Sequence, residues 1–270
     1  MLKTALTIAG SDSSGGAGVQ ADLKTFAANG IYGMSVITAI TAQNTCGVIN
    51  IRELDDEIIR DQIDAVYTDI KVDAVKIGML ASSGIIRVVA DRLQHHKAVN
   101  VVVDTVMVSK SGSHLLKKEA IHTLQDYLIP QALIVTPNLY EASELVGFPV
   151  ENQEDMKKAA IVIKEMGPKY VLVKGGHLEG SACDLFFDGA RFAVFSNERI
   201  NNVHTHGTGC TFSSAIAAGL AKGLPIENAV NEAKKFITMA ITYGFELGKG
   251  VGPTHHFYDL YNKAGFRVEV

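Results

Sequence analysis

Five short stretches of this chain combine residue types that do chemistry with the glycines or breaks that let a chain turn. The most informative is HTHGTGCTFSSAIAAG, residues 204–219. Gly207 and Gly209 allow unusual backbone angles, and the helix expected from residue 209 would aim free amides and its positive dipole end at an anion. Cys210 falls at that helix start, where a thiol is expected to ionise more readily. The other reading is a tight loop before a buried helix. A Cys–His nucleophile built from Cys210 with His204 or His206 would suit a thiol hydrolase, and His204 and His206 also resemble an HxH metal pair without an evident third ligand.

The remaining stretches are polar or charged segments that follow apolar runs. VKGGH, residues 173–177, puts Lys174 beside two glycines, an arrangement suited to neutralising a polyphosphate. TPNLYEASE, residues 136–144, sets Asn138 and Glu141 one turn apart, and Asp104 ends another apolar run. Carboxylate and carboxamide oxygens of this kind suit Mg²⁺. Asn138 and Glu141 also fit a helix-capping box, and both roles are compatible. GSDSSGGAG, residues 10–18, precedes a helix, and residues 16–21 formally fit a dinucleotide fingerprint. That fingerprint needs an acid about twenty residues on, at the end of the next strand. The corresponding segment, TAITAQ at 38–43, has no carboxylate, so the dinucleotide reading is disfavoured. A structural turn, or a cover over a substrate carrying Asp12, remains. The chain has no GxxxxGK[ST] loop, so any nucleotide phosphate must be held in another way.

These positions require a scaffold that gathers them. β-Branched runs at 5–9, 35–41, 74–77, 99–104, 133–136 and 170–174 alternate with helix-period segments at 19–28, 55–69, 84–95, 117–128 and 155–166. Near-continuous apolar strands separated by helices predict an α/β fold whose mostly parallel central sheet has helices on both faces. Runs at 185–187 and 192–195, split by Asp188, Gly189 and Ala190, predict a hairpin, and helices are expected at 209–222 and 226–243. Ligands in such sheets collect at the carboxyl ends of the strands, here just after residues 9, 41, 77, 104, 136 and 174. No linker, repeat or biased segment divides the 270 residues, so one domain spanning 1–270 is expected.

Composition narrows the partners. A formal net charge of −4 and the lack of a Lys/Arg block argue against nucleic acid. No apolar run is long enough for a membrane span, and the opening residues lack an export-signal core, so a cytoplasmic protein is expected. Three widely spaced cysteines, Cys46, Cys183 and Cys210, fit neither a disulfide framework nor a zinc site.

Taken together, ALTIAGSDSSGGAGVQADLKTF, TAQNTCGV, KIGML, DTVMVSKSG, TPNLYEA, VKGGH, HTHGTGCTFSSAIAAGLAKG and GVGPTHHF resemble the hydroxymethylpyrimidine/phosphomethylpyrimidine kinase family of thiamine biosynthesis, within the ribokinase-like superfamily. They cover nearly the whole chain in family order. The resemblance implies a three-layer α/β fold, use of ATP and Mg²⁺, usually a homodimer, and two successive phosphorylations, first of the alcohol and then of its monophosphate. By position it implies an anion hole at Gly207, Thr208, Gly209 and Cys210, with Cys210 in the place of the catalytic base. It implies Lys174 at the ATP phosphate, with Asp104, Asn138 and Glu141 organising Mg²⁺ directly or through water. Asp12, Gln43, Met79 and Val106 would line the acceptor pocket. The rivals are a pyridoxal kinase of the same branch and, from another class, a catalytically inactive nucleotide-binding regulator.

Overall fold

A computed structural model describes residues 2–108, 112, 115–176 and 182–266. The apolar runs form an eight-stranded sheet. Its strands are β1 (Thr4–Ala9), β2 (Tyr32–Ile37), β5 (Ala74–Ile77), β6 (Val101–Val103), β7 (Ile134–Val135), β8 (Tyr170–Gly175), β9 (Ala182–Phe187) and β10 (Phe192–Asn197). The spatial order is β10-β9-β8-β7-β6-β5-β1-β2. The pairings from β2 across to β8 are parallel, and β9 is antiparallel to both its neighbours. The expected hairpin is therefore the antiparallel extension of this sheet.

Alternate residues of each strand feed different cores, as the period of two requires. Leu6, Ile8, Val101, Val103, Val171 and Val173 pack with α2 (Asp56–Asp69), α3 (Ser83–His95), α5 (Leu139–Val146) and α6 (Gln153–Glu165). Ala5, Val102, Leu172 and Phe186 pack with α1 (Gly18–Ala28), α7 (Thr208–Ala221) and α8 (Ile226–Thr242). The molecule is thus a three-layer α/β/α sandwich. A short C-terminal helix, α9 (Tyr258–Lys263), completes the described helices.

Two local expectations need correction. The run at 35–41 is two strands, β2 and β3 (Ala39–Asn44), because the chain leaves the main sheet at Thr38. The Thr38 amide still bonds Ala9 O at 3.0 Å, while its hydroxyl turns to Met79 O at 2.8 Å. β3 then pairs only with β4 (Gly47–Glu53), forming a separate antiparallel hairpin with an irregularity at Ala42 and Gln43. The helix expected at 117–128 begins as α4 (Ala120–Thr123), loosens to a π-turn over Leu124–Leu128 and tightens over Ile129–Gln131, where Pro130 removes a donor. The capping box before α5 proves to start a complete helix, closed by Gly147 in the left-handed conformation. Among the described residues, no helix is long and apolar enough to cross a membrane.

Candidate active site

The carboxyl ends of β1, β5, β6, β7 and β8 and the start of α7 converge on one cluster. Gly207 opens α7 with φ +81°, a left-handed conformation that favours glycine. A Cβ there would lie 1.7 Å from Gly16 O, so the turn can close only on glycine. The amide of Thr211 closes the first helical turn on Gly207 O at 2.9 Å, and Thr208 bonds Thr205 O at 3.3 Å. The amides of Gly209 and Cys210 are left at the open end without an intrahelical partner.

Lys174, from the end of β8, reaches Asp104 Oδ1 at 2.7 Å and lies 4.0 Å from Glu141 Oε2. Asp104 follows β6 and accepts further hydrogen bonds from Thr136 at 3.3 Å and from Ser213 of α7 at 3.2 Å. A Cβ on Gly209 would stand 3.6 Å from both Asp104 Oδ2 and Lys174 Nζ, so the helix start, the cation and the carboxylate share one space. Burial opposes ionisation of Asp104, but Lys174 and Lys76 outweigh it and hold its carboxyl below the usual range. Glu141 goes the other way. Burial pushes it up to about 7, and the nearby Asp104 charge adds to this against the pull of Lys174. Two buried carboxylates therefore share one ammonium.

That oxygen donor set and its surplus of negative charge fit a hard cation such as Mg²⁺. Asp104 and Glu141 carry the fit. Asn138 takes the capping role as well. Its side-chain oxygen accepts from the Glu141 amide at 2.9 Å, while Glu141 Oε2 accepts from the Asn138 amide at 2.8 Å. Its contribution is to cap α5 and hold Glu141 in place. Among the described residues no group of three or more His, Cys, Asp or Glu is spaced to enclose a metal.

Cys210 sits at the helix start as expected, but its thiol is not the easily ionised group that position suggested. Burial pushes it up to about 11, opposed by the Lys76 charge. Neither histidine serves it as a base. His206 Nε2 lies 2.8 Å from Asp12, and His204 Nδ1 accepts from the Gly252 amide at 3.1 Å. The two rings hold different segments, which removes both the thiol-hydrolase and the HxH readings. His177 lies outside the described residues, as do Ser109, Lys110 and Ser111.

The expected acceptor-pocket residues divide. Asp12 is committed to its own loop: Oδ1 accepts from the Ser14 amide and hydroxyl, and Oδ2 from the Gly16 and Ala17 amides and His206. Burial would raise this carboxyl, but hydrogen bonds from His206 and Ser14 hold it down to about 2. Asp12 therefore holds its own turn together, with both oxygens already accepting. Gln43 belongs to the β3–β4 hairpin, with its carboxamide 3.4 Å from His206 Nε2. Buried Met79 lies against the Gly10 turn, and half-buried Val106 stands two residues beyond Asp104.

One pair was missed from sequence. Lys76 of β5 and Asp22 of α1 form a fully buried ion pair, with Nζ 2.9 Å from each oxygen. Thr7 at 2.6 Å and Ser214 of α7 at 2.7 Å complete the Asp22 carboxylate. Lysine inside an apolar strand covered on both faces was the available signal, since such a charge must find a partner.

Residues 12–255 match the family model described as phosphomethylpyrimidine kinase. The chain belongs to this family. It is 51% identical to the hydroxymethylpyrimidine/phosphomethylpyrimidine kinase of Rhizobium meliloti over 262 residues, covering 96% of this chain and 98% of that protein. It is 49% identical to the thiamine biosynthesis bifunctional protein ThiED of Geobacter sulfurreducens, where it spans 93% of its own length and only 51% of the relative's. Among solved structures it resembles the ADP complex of Bacillus subtilis pyridoxal kinase, with a TM-score of 0.90, 43% identity, and coverage of 95% of this chain and 98% of that one. The ribokinase-like architecture expected for the family is the one this chain has.

Proposed function

We propose that this chain transfers the γ-phosphoryl group of ATP to the hydroxymethyl group of 4-amino-5-hydroxymethyl-2-methylpyrimidine, and then phosphorylates the resulting monophosphate, in thiamine biosynthesis. The observation that carries the reading is the convergence of the open α7 amides, Lys174 and Asp104 within one small volume. Phosphoryl transfer through a loose transition state needs alignment and charge stabilisation more than a strong base. The amides at Gly209 and Cys210 would receive the transferring phosphoryl oxygens, and Lys174 would exchange part of its contact with Asp104 for ATP phosphate. Mg²⁺, when bound, would supply the remaining charge neutralisation. Asp104 and Glu141 would hold it directly or through water, with Asn138 fixing Glu141. Burial keeps the Cys210 thiol protonated at rest, and in that form it takes up no further proton; it would accept the alcohol proton only as the thiolate, after releasing its own proton to solvent.

Gln43 favours the pyrimidine over pyridoxal. A carboxamide pairs in one plane with an exocyclic amino group beside a ring nitrogen, and pyridoxal has no such edge. An inactive regulator would have no need of the intact set of Lys174, Asp104 and Cys210. We further propose that residues 1–270 act as one domain, in a cytoplasmic homodimer. The hairpin β3–β4 supports the dimer, because it leaves Ile40 and Ile49 exposed, the latter at 75%. The deciding experiment is ADP release measured across the pyrimidine alcohol, its monophosphate and pyridoxal. Turnover of both pyrimidines above pyridoxal is expected, and preference for pyridoxal would reverse the assignment.

A further inference from the structure

The hydrogen bonds around Gln43 determine which way its carboxamide faces. Asp12 Oδ2 already accepts from two backbone amides, so this carboxylate can only accept, and His206 Nε2 at 2.8 Å must carry the proton between them. The structure places Gln43 Nε2 3.4 Å from that same Nε2 and Gln43 Oε1 3.3 Å from Thr41 Oγ1. Thr41 has a single proton, which it gives to Ser11 O at 2.7 Å. With the amide nitrogen toward His206, as placed, two donors face each other, and Gln43 Oε1 needs a Thr41 proton that is already committed. Oxygen and nitrogen of a carboxamide are interchangeable by a half-turn of its last torsion, and the network must choose between them.

We propose that His206 and Thr41 lock the Gln43 carboxamide with Oε1 toward His206 and its nitrogen toward Thr41, making both residues determinants of acceptor specificity. The chain of donors then runs without conflict. His206 Nε2–H is shared between Asp12 and Gln43 Oε1, Gln43 Nε2–H donates to Thr41 Oγ1, and Thr41 donates to Ser11 O. Thr41, Asp12 and His206 are buried, so none of these groups has water as a ready substitute. The lock leaves the second lone pair of Oε1 and the second N–H of Gln43 for a ligand. That edge complements an amino donor beside a ring-nitrogen acceptor. A pyrimidinone, with an oxo acceptor beside a ring N–H, presents the mirrored pattern and would meet acceptor with acceptor. Neither His206 nor Thr41 need touch the acceptor; both act through Gln43, as positioning residues.

The inference rests on Gln43 being the acceptor contact, and its test separates the two. Dissociation constants of the 4-amino pyrimidine alcohol and of its 4-oxo counterpart are measured by calorimetry on the full chain and on six variants: Thr41→Val, Thr41→Ser, His206→Leu, His206→Gln, Gln43→Leu and Gln43→Glu. The unaltered chain is expected to favour the amino compound by about tenfold or more, the discrimination typical of a bidentate contact. Thr41→Val and His206→Leu should shrink that ratio at least about fivefold, because a freed carboxamide can turn to suit either ligand. Thr41→Ser and His206→Gln, which keep the acceptor and the donor, should hold it within about twofold. Gln43→Glu, acceptor on both ends, meets one donor and one acceptor in either ligand and should bring the ratio toward one. If Thr41→Val keeps the ratio while Gln43→Leu abolishes it, the lock is wrong and the contact stands. A ratio near one in the unaltered chain, or one that survives Gln43→Leu, overturns both. Should His206→Leu fail to fold, Thr41→Val against Thr41→Ser decides alone.

Discussion

Two lysine–carboxylate pairs lie beneath the first turns of α7, and they are built to opposite ends. Asp22–Lys76 is sealed: both side chains are 0% exposed, and Asp22 is completed by Thr7 and Ser214. Asp104–Lys174 is shorter still at 2.7 Å, yet Lys174 keeps 14% exposure and a second carboxylate, Glu141, stands 4.0 Å away. Adjacent serines of one helix grip them, Ser213 holding Asp104 and Ser214 holding Asp22. The first pair balances its charge internally and has nothing left to offer a ligand. The second carries an excess carboxylate, and the proposed site rests on this imbalance. A buried ion pair alone says little about function; its residual charge says more.

The sharpest way to break this comparison is at Cys210, whose thiol feels Lys76, Asp22 and Asp104 together. Cys210→Ala is expected to lower kcat by about 10²–10⁴-fold with the KM for ATP little changed, the range for loss of a proton acceptor. Near-normal kcat in a steady-state assay would reduce the thiol to packing. Next comes the sealed pair. Lys76→Met should cost about 3–5 kcal/mol in urea unfolding, because it strands the Asp22 charge, and Asp22→Leu with Lys76→Met should recover most of that. If the double variant is no more stable than the single one, the pair is not the sealed unit described.

Lys174→Met tests the open pair. It should lower kcat/KM for ATP by about 10²–10³-fold, the usual loss for one electrostatic donor to a transition state. Its cost in stability should be smaller than that of Lys76→Met, since Glu141 can take up a proton to rebalance the charge. Equal losses of stability would erase the distinction. The smallest effect is at Glu141. Its folded-state value of about 7 lies above its ordinary 4.5, so the folded protein binds the extra proton. The stability this supplies is complete below about pH 4.5 and is lost as pH rises toward about 7. In urea titrations across that window, Glu141→Gln should gain stability relative to the unaltered chain as pH increases. The same variant should raise the Mg²⁺ concentration needed for half-maximal rate, and an unchanged Mg²⁺ titration would leave Glu141 with its cap alone.

The layered fold and the ring of strand ends were legible because apolar runs and glycine-bearing breaks are local signals. Lys174, Asp104 and Gly207 fell where those signals pointed. The Asp22–Lys76 pair was not drawn because its partners lie 54 residues apart on different element types. Each had a local trace: Lys76 interrupts the apolar β5, and Asp22 lies on the buried side of α1 with Val19 and Phe26. Asp12 misled for a different reason. An aspartate in a glycine-rich loop can face a ligand or collect its own backbone amides, and only the folded turn chooses between them. The β3–β4 hairpin was hidden because Thr38 breaks the strand with a β-forming residue, without glycine or proline. Cys210 shows a limit of motif reading. The helix start was visible, whereas the burial that dominates its thiol depends on packing from several elements.

Gly207 has a consequence for how the protein comes into being. Its turn closes on Gly16, and His206 beside it completes Asp12 across 194 residues of chain. As the polypeptide leaves the ribosome, the glycine-rich loop after β1 is among the first parts made, and its counterpart among the last. Every strand of the sheet precedes α7 in the chain, so a nascent chain can lay down its scaffold while the phosphate end of the site does not yet exist. The turn that joins Gly16 to Gly207 can therefore close only after the whole sheet has been made.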